Sequence, residues 1–255
     1  LLCSVMEIEA GYQFGQLALQ LLERGDAQMV NRARTFEVVN VFITPWKEHL
    51  SIPCYRLKAV YQRALEEGDL EFAGYASSTY GTYSYFSGQP LVGQEHQLAV
   101  YLQELTSLKQ DGGANFSLLL YYQDILTLLQ AVLSGTVTDL SEESKKSLGV
   151  LQQANDYFGL FLFYTNRLFL CYLFHDVSRA LESATLSKNY SVGANGHFAI
   201  AVFHFYDSLT QLVNYANADS SRQTEILQQV ASNQDKMKLW AHHAPMNCQH
   251  KYDLV

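Results

Sequence analysis

The stretch Tyr55-Arg-Leu-Lys-Ala-Val-Tyr-Gln-Arg-Ala-Leu-Glu-Glu-Gly68-Asp69 decides the fold. Its apolar positions are Leu57, Val60, Tyr61, Ala64 and Leu65, the i, i+3, i+4, i+7, i+8 spacing of one helix face. Arg56, Lys58, Gln62, Arg63, Glu66 and Glu67 fall on the other face, which predicts a solvated side. Gly68 supplies a left-handed stop. The segment 11–24 repeats the pattern with Phe14, Leu17, Ala18, Leu21 and Leu22. Tyr12 matches Tyr55, Glu23 matches Glu66, and Gly25-Asp26 matches Gly68-Asp69, an ungapped offset of 43. Looser copies run through Leu98, Tyr101, Leu102 and Leu105; through Val177, Ala180, Leu181 and Ala184; and through Ile226, Leu227, Val230, Met237 and Trp240.

Between these amphipathic segments lie helices apolar on more than one side. In the predicted helix 69–87, Phe72, Tyr75, Ala76, Thr79, Tyr80 and Tyr83 share one face. Ala73, Gly74, Ser77, Ser78, Gly81 and Ser84 form a small one, so neighbours are expected on both sides. Segments 115–133, 155–174 and 196–215 read the same way. Alternation of an enclosed helix with an amphipathic one builds an α-solenoid. The expectation is therefore all-α: a TPR-like α-solenoid of stacked antiparallel helix pairs, with a period of about 40 residues. A single irregular helical bundle is the competing architecture. No linker or low-complexity tract divides the chain, so 1–255 reads as one helical-repeat region. Both ends read as mid-helix, as in a fragment of a longer polypeptide.

Finer expectations follow from local signals. Ser51 should cap a helix with Pro53 in its first turn. Ser220 and Gln223 should form a capping box. Helices are expected over 1–9, 11–24, 140–148 and 150–174, with Ser134 to Ser147 the least regular stretch.

Composition narrows function. The 255 residues carry 17 Lys and Arg against 25 Asp and Glu, a net charge of −8. That balance disfavours a binder of nucleic-acid backbones, which needs cations. The apolar stretch Tyr157 to Phe174 has Thr165, Asn166 and Arg167 at its centre, against a membrane span. Four irregularly spaced cysteines suit free thiols in a reducing cytoplasm better than a disulfide scaffold. No signal peptide opens the chain, and the expected location is cytoplasmic.

Phosphate-loop, dinucleotide, zinc-protease and nucleophile-elbow motifs are absent from the sequence. Two clusters stand out. Trp240, His242, His243, Pro245 and Asn247 read as a helix-to-helix corner or interaction site; adjacent histidines and an intervening proline are poor zinc spacing. His197 and His204, seven apart on the predicted helix 196–216 with Asp207 behind, could line a pocket. No catalytic, metal or cofactor residue is assigned on this reading.

Several runs resemble a known family. They are Gly11 to Leu19, Trp46-Lys-Glu-His49, Gly68-Asp-Leu-Glu-Phe-Ala73, Gln153-Ala-Asn-Asp156, Leu170-Cys-Tyr-Leu-Phe174 and Phe203-His-Phe-Tyr-Asp-Ser-Leu209. Most specific is Asn233-Gln-Asp-Lys-Met-Lys-Leu-Trp-Ala-His-His-Ala-Pro-Met-Asn247, followed by His250-Lys-Tyr252. Together they resemble the helical middle region of large bacterial multi-sensor signal-transduction kinases. In those a serine/threonine-kinase-like domain and a STAND-type ATPase precede the helical region, and a GAF domain and histidine kinase follow. The resemblance implies a non-catalytic module for protein–protein interaction and intramolecular signal relay. Its implied partners are other domains of the same polypeptide and signalling proteins, with no nucleic acid, no membrane and no cofactor. The alternative is an all-α small-ligand sensor or enzyme with a pocket lined by Tyr and His.

Overall fold

The structure, a computed structural model, describes Cys3 and residues 7–24, 32–133 and 142–255. Among these residues every regular element is helical: α1 Ile8–Arg24, α2 Arg32–Phe42, α3 Ser51–Glu66, α4 Leu70–Phe86, α5 Leu91–Ser107, α6 Ala114–Leu133, α7 Glu142–Gln153, α8 Tyr157–Leu173, α9 Val177–Tyr190, α10 Ala199–Tyr215, α11 Ser220–His243 and α12 Pro245–Asp253. The chain is thus all-α, built from consecutive packed helix pairs. It divides into two compact units. One holds residues 1–11, 45–49 and 157–255; the other holds 12–44 and 50–156. No helix among the described residues is long and apolar enough to cross a membrane.

The expected alternation of helix types is present. In α3 the buried set is Pro53, Cys54, Leu57, Val60, Tyr61 and Ala64, one face only. By contrast α4 is buried from Ala76 through Tyr85 without a break. The other unit repeats the contrast, with α9 burying Ala180, Ser183, Ala184 and Ser187, and α8 burying Gly159 through Asn166. Tyr80 and Tyr83 are core residues as expected, whereas Tyr75 is 39% exposed, its hydroxyl donating to Glu71 at 3.0 Å.

One type of turn recurs between helices. After α3, Asp69 N–H donates to the Ala64 carbonyl and Gly68 N–H to that of Leu65. The same 6→1 and 5→2 pair closes α5 at Lys109-Gln110, α7 at Asn155-Asp156 and α8 at His175-Asp176. This arrangement satisfies the last carbonyls of a helix and needs a left-handed residue. Gly68, Lys109, Asn155 and His175 supply it in these four turns; Gly88 and Gly196 are left-handed as well, so such residues recur every 20 or 21 positions over 68–109 and over 155–196. In two of these turns the next residue caps the following helix: Asp69 accepts from Phe72 N–H and Asp176 from Arg179 N–H.

Several sequence expectations need correction. Leu50, not Ser51, takes the capping position of α3, because the backbone is already helical there. Asp219 caps α11 by accepting from Arg222 N–H, and Gln223 instead donates to the Tyr215 carbonyl. The expected break near Gly149 is absent. Asn155 tolerates the left-handed turn, so the helix runs on to Gln153 and the break falls at 154–156. Helix is regular from Glu142, an acidic residue in the first turn that pairs with Lys145 at 2.6 Å. Residues 134–141, Gly25-Asp26 and most of the expected helix 1–9 lie outside the described residues.

The largest departure is α1. Most of its apolar stripe faces outward, with Phe14 63%, Leu17 49% and Leu21 54% exposed, while Leu22 is buried at 7%. The helix packs instead through Gly15, where an added Cβ would sit 2.9 Å from Ile43 Cγ2. A small residue permits close approach on that side, and the sequence pattern does not reveal which side a neighbour occupies.

Gly193 lies in a short 3₁₀ turn at Ser191–Ala194. A Cβ there would come within 2.7 Å of backbone atoms of Tyr157 and Phe158. Backbone cannot rotate away as a side chain does. Gly193→Ala is therefore expected to cost about 1–3 kcal/mol, read as a lower chemical-denaturation midpoint. An unchanged midpoint would show that the α8 start shifts freely.

Candidate functional site

Helices α9, α10 and α11 border a cavity of about 460 Å³. Its floor is aromatic. Trp46 lies 5.5 Å from Trp240 and 5.5 Å from Phe198, ring centre to ring centre. Trp46 Nε1 donates to the Gly196 carbonyl at 2.9 Å, which fixes the ring beside the left-handed turn before α10. Phe203 adds a further ring to the lining.

Above the floor sits a buried polar network. Asp207 on α10 is 2% exposed. Its Oδ2 accepts from Gln229 Nε2 at 2.8 Å and from Asn233 Nδ2 at 2.9 Å, both on α11. Asn233 also donates to Ser208 Oγ at 3.0 Å. With its amide nitrogen so engaged, Asn233 turns Oδ1 to His204 Nδ1 at 2.7 Å. A carbonyl oxygen only accepts, so His204 carries its proton on Nδ1. Nε2 is then the bare nitrogen and accepts from Lys236 Nζ at 3.3 Å. Burial is the main cause holding the His204 imidazolium down to about 4, with the Lys236 ammonium as a second. The ring is therefore neutral at ordinary pH. Burial and the Lys188 ammonium lower Lys236, while Asp207 works against them. At the other end, Gln211 donates weakly to Asp207 at 3.5 Å and accepts from Arg222 Nη2 at 3.0 Å. A continuous chain thus runs from Arg222 through Gln211, Asp207, Asn233 and His204 to Lys236.

Of the expected pocket residues, His204 and Asp207 line this cavity and His197 does not. The helical spacing that paired the two histidines does not apply, because α10 starts at Ala199. His197 stands in the preceding turn, fully buried, with Nδ1 accepting from Ala199 N–H at 3.1 Å and the ring 4.8 Å from Phe158. Burial pushes it down to about 3. Of the expected corner, Trp240 joins the pocket floor. His242 and His243 end α11 and Pro245 opens α12. Asn247 is buried and donates from Nδ2 to the Pro45 carbonyl at 2.9 Å and the Glu48 carbonyl at 2.8 Å. It thus clasps the segment that carries Trp46. No group of three or more His, Cys, Asp or Glu among the described residues could hold a metal ion.

Sequence reading missed Trp46, Lys188, Gln229, Asn233 and Lys236. One local signal was present: Asn233 and Lys236 stand i, i+3 on α11, and Gln229 stands four residues before Asn233. That spacing places them on one helix face, but does not show that the face meets α10. Set against protein-family models, curated proteins and solved structures, the chain finds no match.

Proposed function

We propose that this chain is a non-catalytic helical-repeat module that relays a signal within a multidomain bacterial signalling kinase. The compact unit that holds residues 157–255 takes a small ligand into the cavity beside His204. One observation carries the reading: a cavity of ligand size whose polar wall is already oriented, from Asp207 through Asn233 to His204. Binding sites commonly combine an apolar lining with a few fixed polar groups in this way. The network spans α10 and α11, so an occupant that prefers one arrangement of this pair biases the pair. The family resemblance of the Phe203 to Leu209 and Asn233 to Asn247 runs, which supply most of the network and Trp240, supplies the signalling context.

The exposed stripe of Phe14, Leu17 and Leu21 on α1 favours protein contact as the second half of the function. A thermal-shift screen against a metabolite panel tests the pocket. Saturable stabilisation that is lost in His204→Ala is expected. Hydrogen exchange tests the relay: the bound compound should also protect the first turns of α11 near Arg222. Protection confined to the lining would reduce the module to a passive binder, and sustained turnover of any panel compound would replace it with an enzyme.

A further inference from the structure

We infer that the α9–α10–α11 cavity binds the phosphate group of a small organic phosphate ester, with Lys188 and Lys236 as its cationic contacts. The inference rests on the reading of this cavity as a ligand site and adds the chemistry of the occupant. Two ammonium groups, on α9 and α11, border one cavity. Neither has a carboxylate within ion-pair distance among the described residues. Asp207, the one acidic residue of the lining, is spent on the amides of Gln229, Asn233 and Gln211. The wall therefore holds two positive charges against one negative.

The lysines are also incompletely used. An ammonium has three N–H donors. Among the described residues Lys236 Nζ has one hydrogen-bond partner, His204 Nε2, and that partner is neutral. Lys188 is exposed and forms no side-chain hydrogen bond among the described residues. Two like charges that share a cavity repel, and a doubly charged anion relieves both. Planar carboxylates are matched best by the fork of arginine, whereas lysine serves phosphate as a point charge. The lining contains two lysines and no arginine. The volume of about 460 Å³ far exceeds a bare phosphate, and Phe203, Trp46 and Trp240 offer an apolar floor to the remainder of the molecule.

The test uses the whole chain and four probes: phenyl phosphate, inorganic phosphate, benzoate and phenol. Calorimetric titration should show phenyl phosphate binding about 10-fold or more tightly than benzoate or phenol, and weakening as salt rises. Lys236→Gln and, separately, Lys188→Gln should each weaken it by about 10-fold. Lys188 is exposed, so its variant keeps the test decisive if Lys236→Gln alters folding. Benzoate or phenol binding as tightly as phenyl phosphate overturns the phosphate assignment and leaves the cavity a ligand site. Failure of all four probes together with the metabolite panel overturns the ligand site itself. Co-sedimentation with phosphatidic-acid vesicles that both variants abolish, without phenyl phosphate binding, would transfer the lysines to a membrane headgroup and overturn the soluble ester.

Discussion

Trp240→Ala is expected to cost about 3–5 kcal/mol of unfolding free energy, the range for removing a large buried aromatic from a core. The ring is 2% exposed. It touches Trp46 on one side and stands 5.6 Å from His204 on the other. Deletion leaves a void that neither neighbour is free to fill. Trp46 is tied by its indole N–H to Gly196, and His204 is held through Asn233. The void also joins the ligand cavity, so the variant should lose both stability and binding. Denaturant unfolding followed by circular dichroism reads the first effect. Calorimetric titration with phenyl phosphate reads the second, and emission from the remaining tryptophan should shift to the red as Trp46 meets water. A loss below 1 kcal/mol would mean that the floor repacks, and the pocket would then not be preformed.

Local chemistry made most helices legible and left their neighbours hidden. Gly68 and the apolar spacing of 54–67 foretold α3 and its stop correctly, because both act within a few residues. The same spacing in α1 foretold a buried stripe, of which Leu22 is buried and Phe14, Leu17 and Leu21 are exposed. Periodicity names a face, and only tertiary structure says what lies against it. The site divides in the same way. His204 and Asp207 share a helix, and their spacing of three was visible. Asn233, which joins them, lies on another helix 29 residues from His204. Trp46 and Asn247 are further apart still, and the hydrogen bonds from Asn247 to the 45–48 segment span about 200 residues of chain. His197 was misread because a helical period was carried two residues past the true start of α10. The 3₁₀ turn Ser191–Ala194 and the left-handed Gly196 after it break that period.

Acid and alkali are expected to destabilise this protein through different residues. His197 and His204 are held neutral by burial, at about 3 and about 4 against an ordinary 6.5. The unfolded chain therefore binds more protons than the folded one below 6.5. Stability is lost as pH falls from 6.5 toward 3, on the order of 3 kcal/mol for each ring. Glu37 on α2 behaves oppositely. It is 5% exposed, and burial pushes its carboxyl up to about 7 from 4.5. Its stabilising share is complete below 4.5 and is lost as pH rises through 7, on the order of 3 kcal/mol. The histidines and Glu37 belong to different compact units. Both tryptophans, Trp46 and Trp240, belong to the unit of the histidines. Tryptophan emission should therefore follow the acid limb, whereas circular dichroism follows both. Glu37→Gln should raise the melting temperature at pH 8 and leave it unchanged at pH 4.5, where the native carboxyl is already protonated. His204→Gln, which keeps a polar group toward Asn233, should flatten the acid limb. A Glu37→Gln variant with the same shift at both pH values would mean that the native carboxylate finds water or a cation in the fold. The destabilisation above pH 7 would then need another cause.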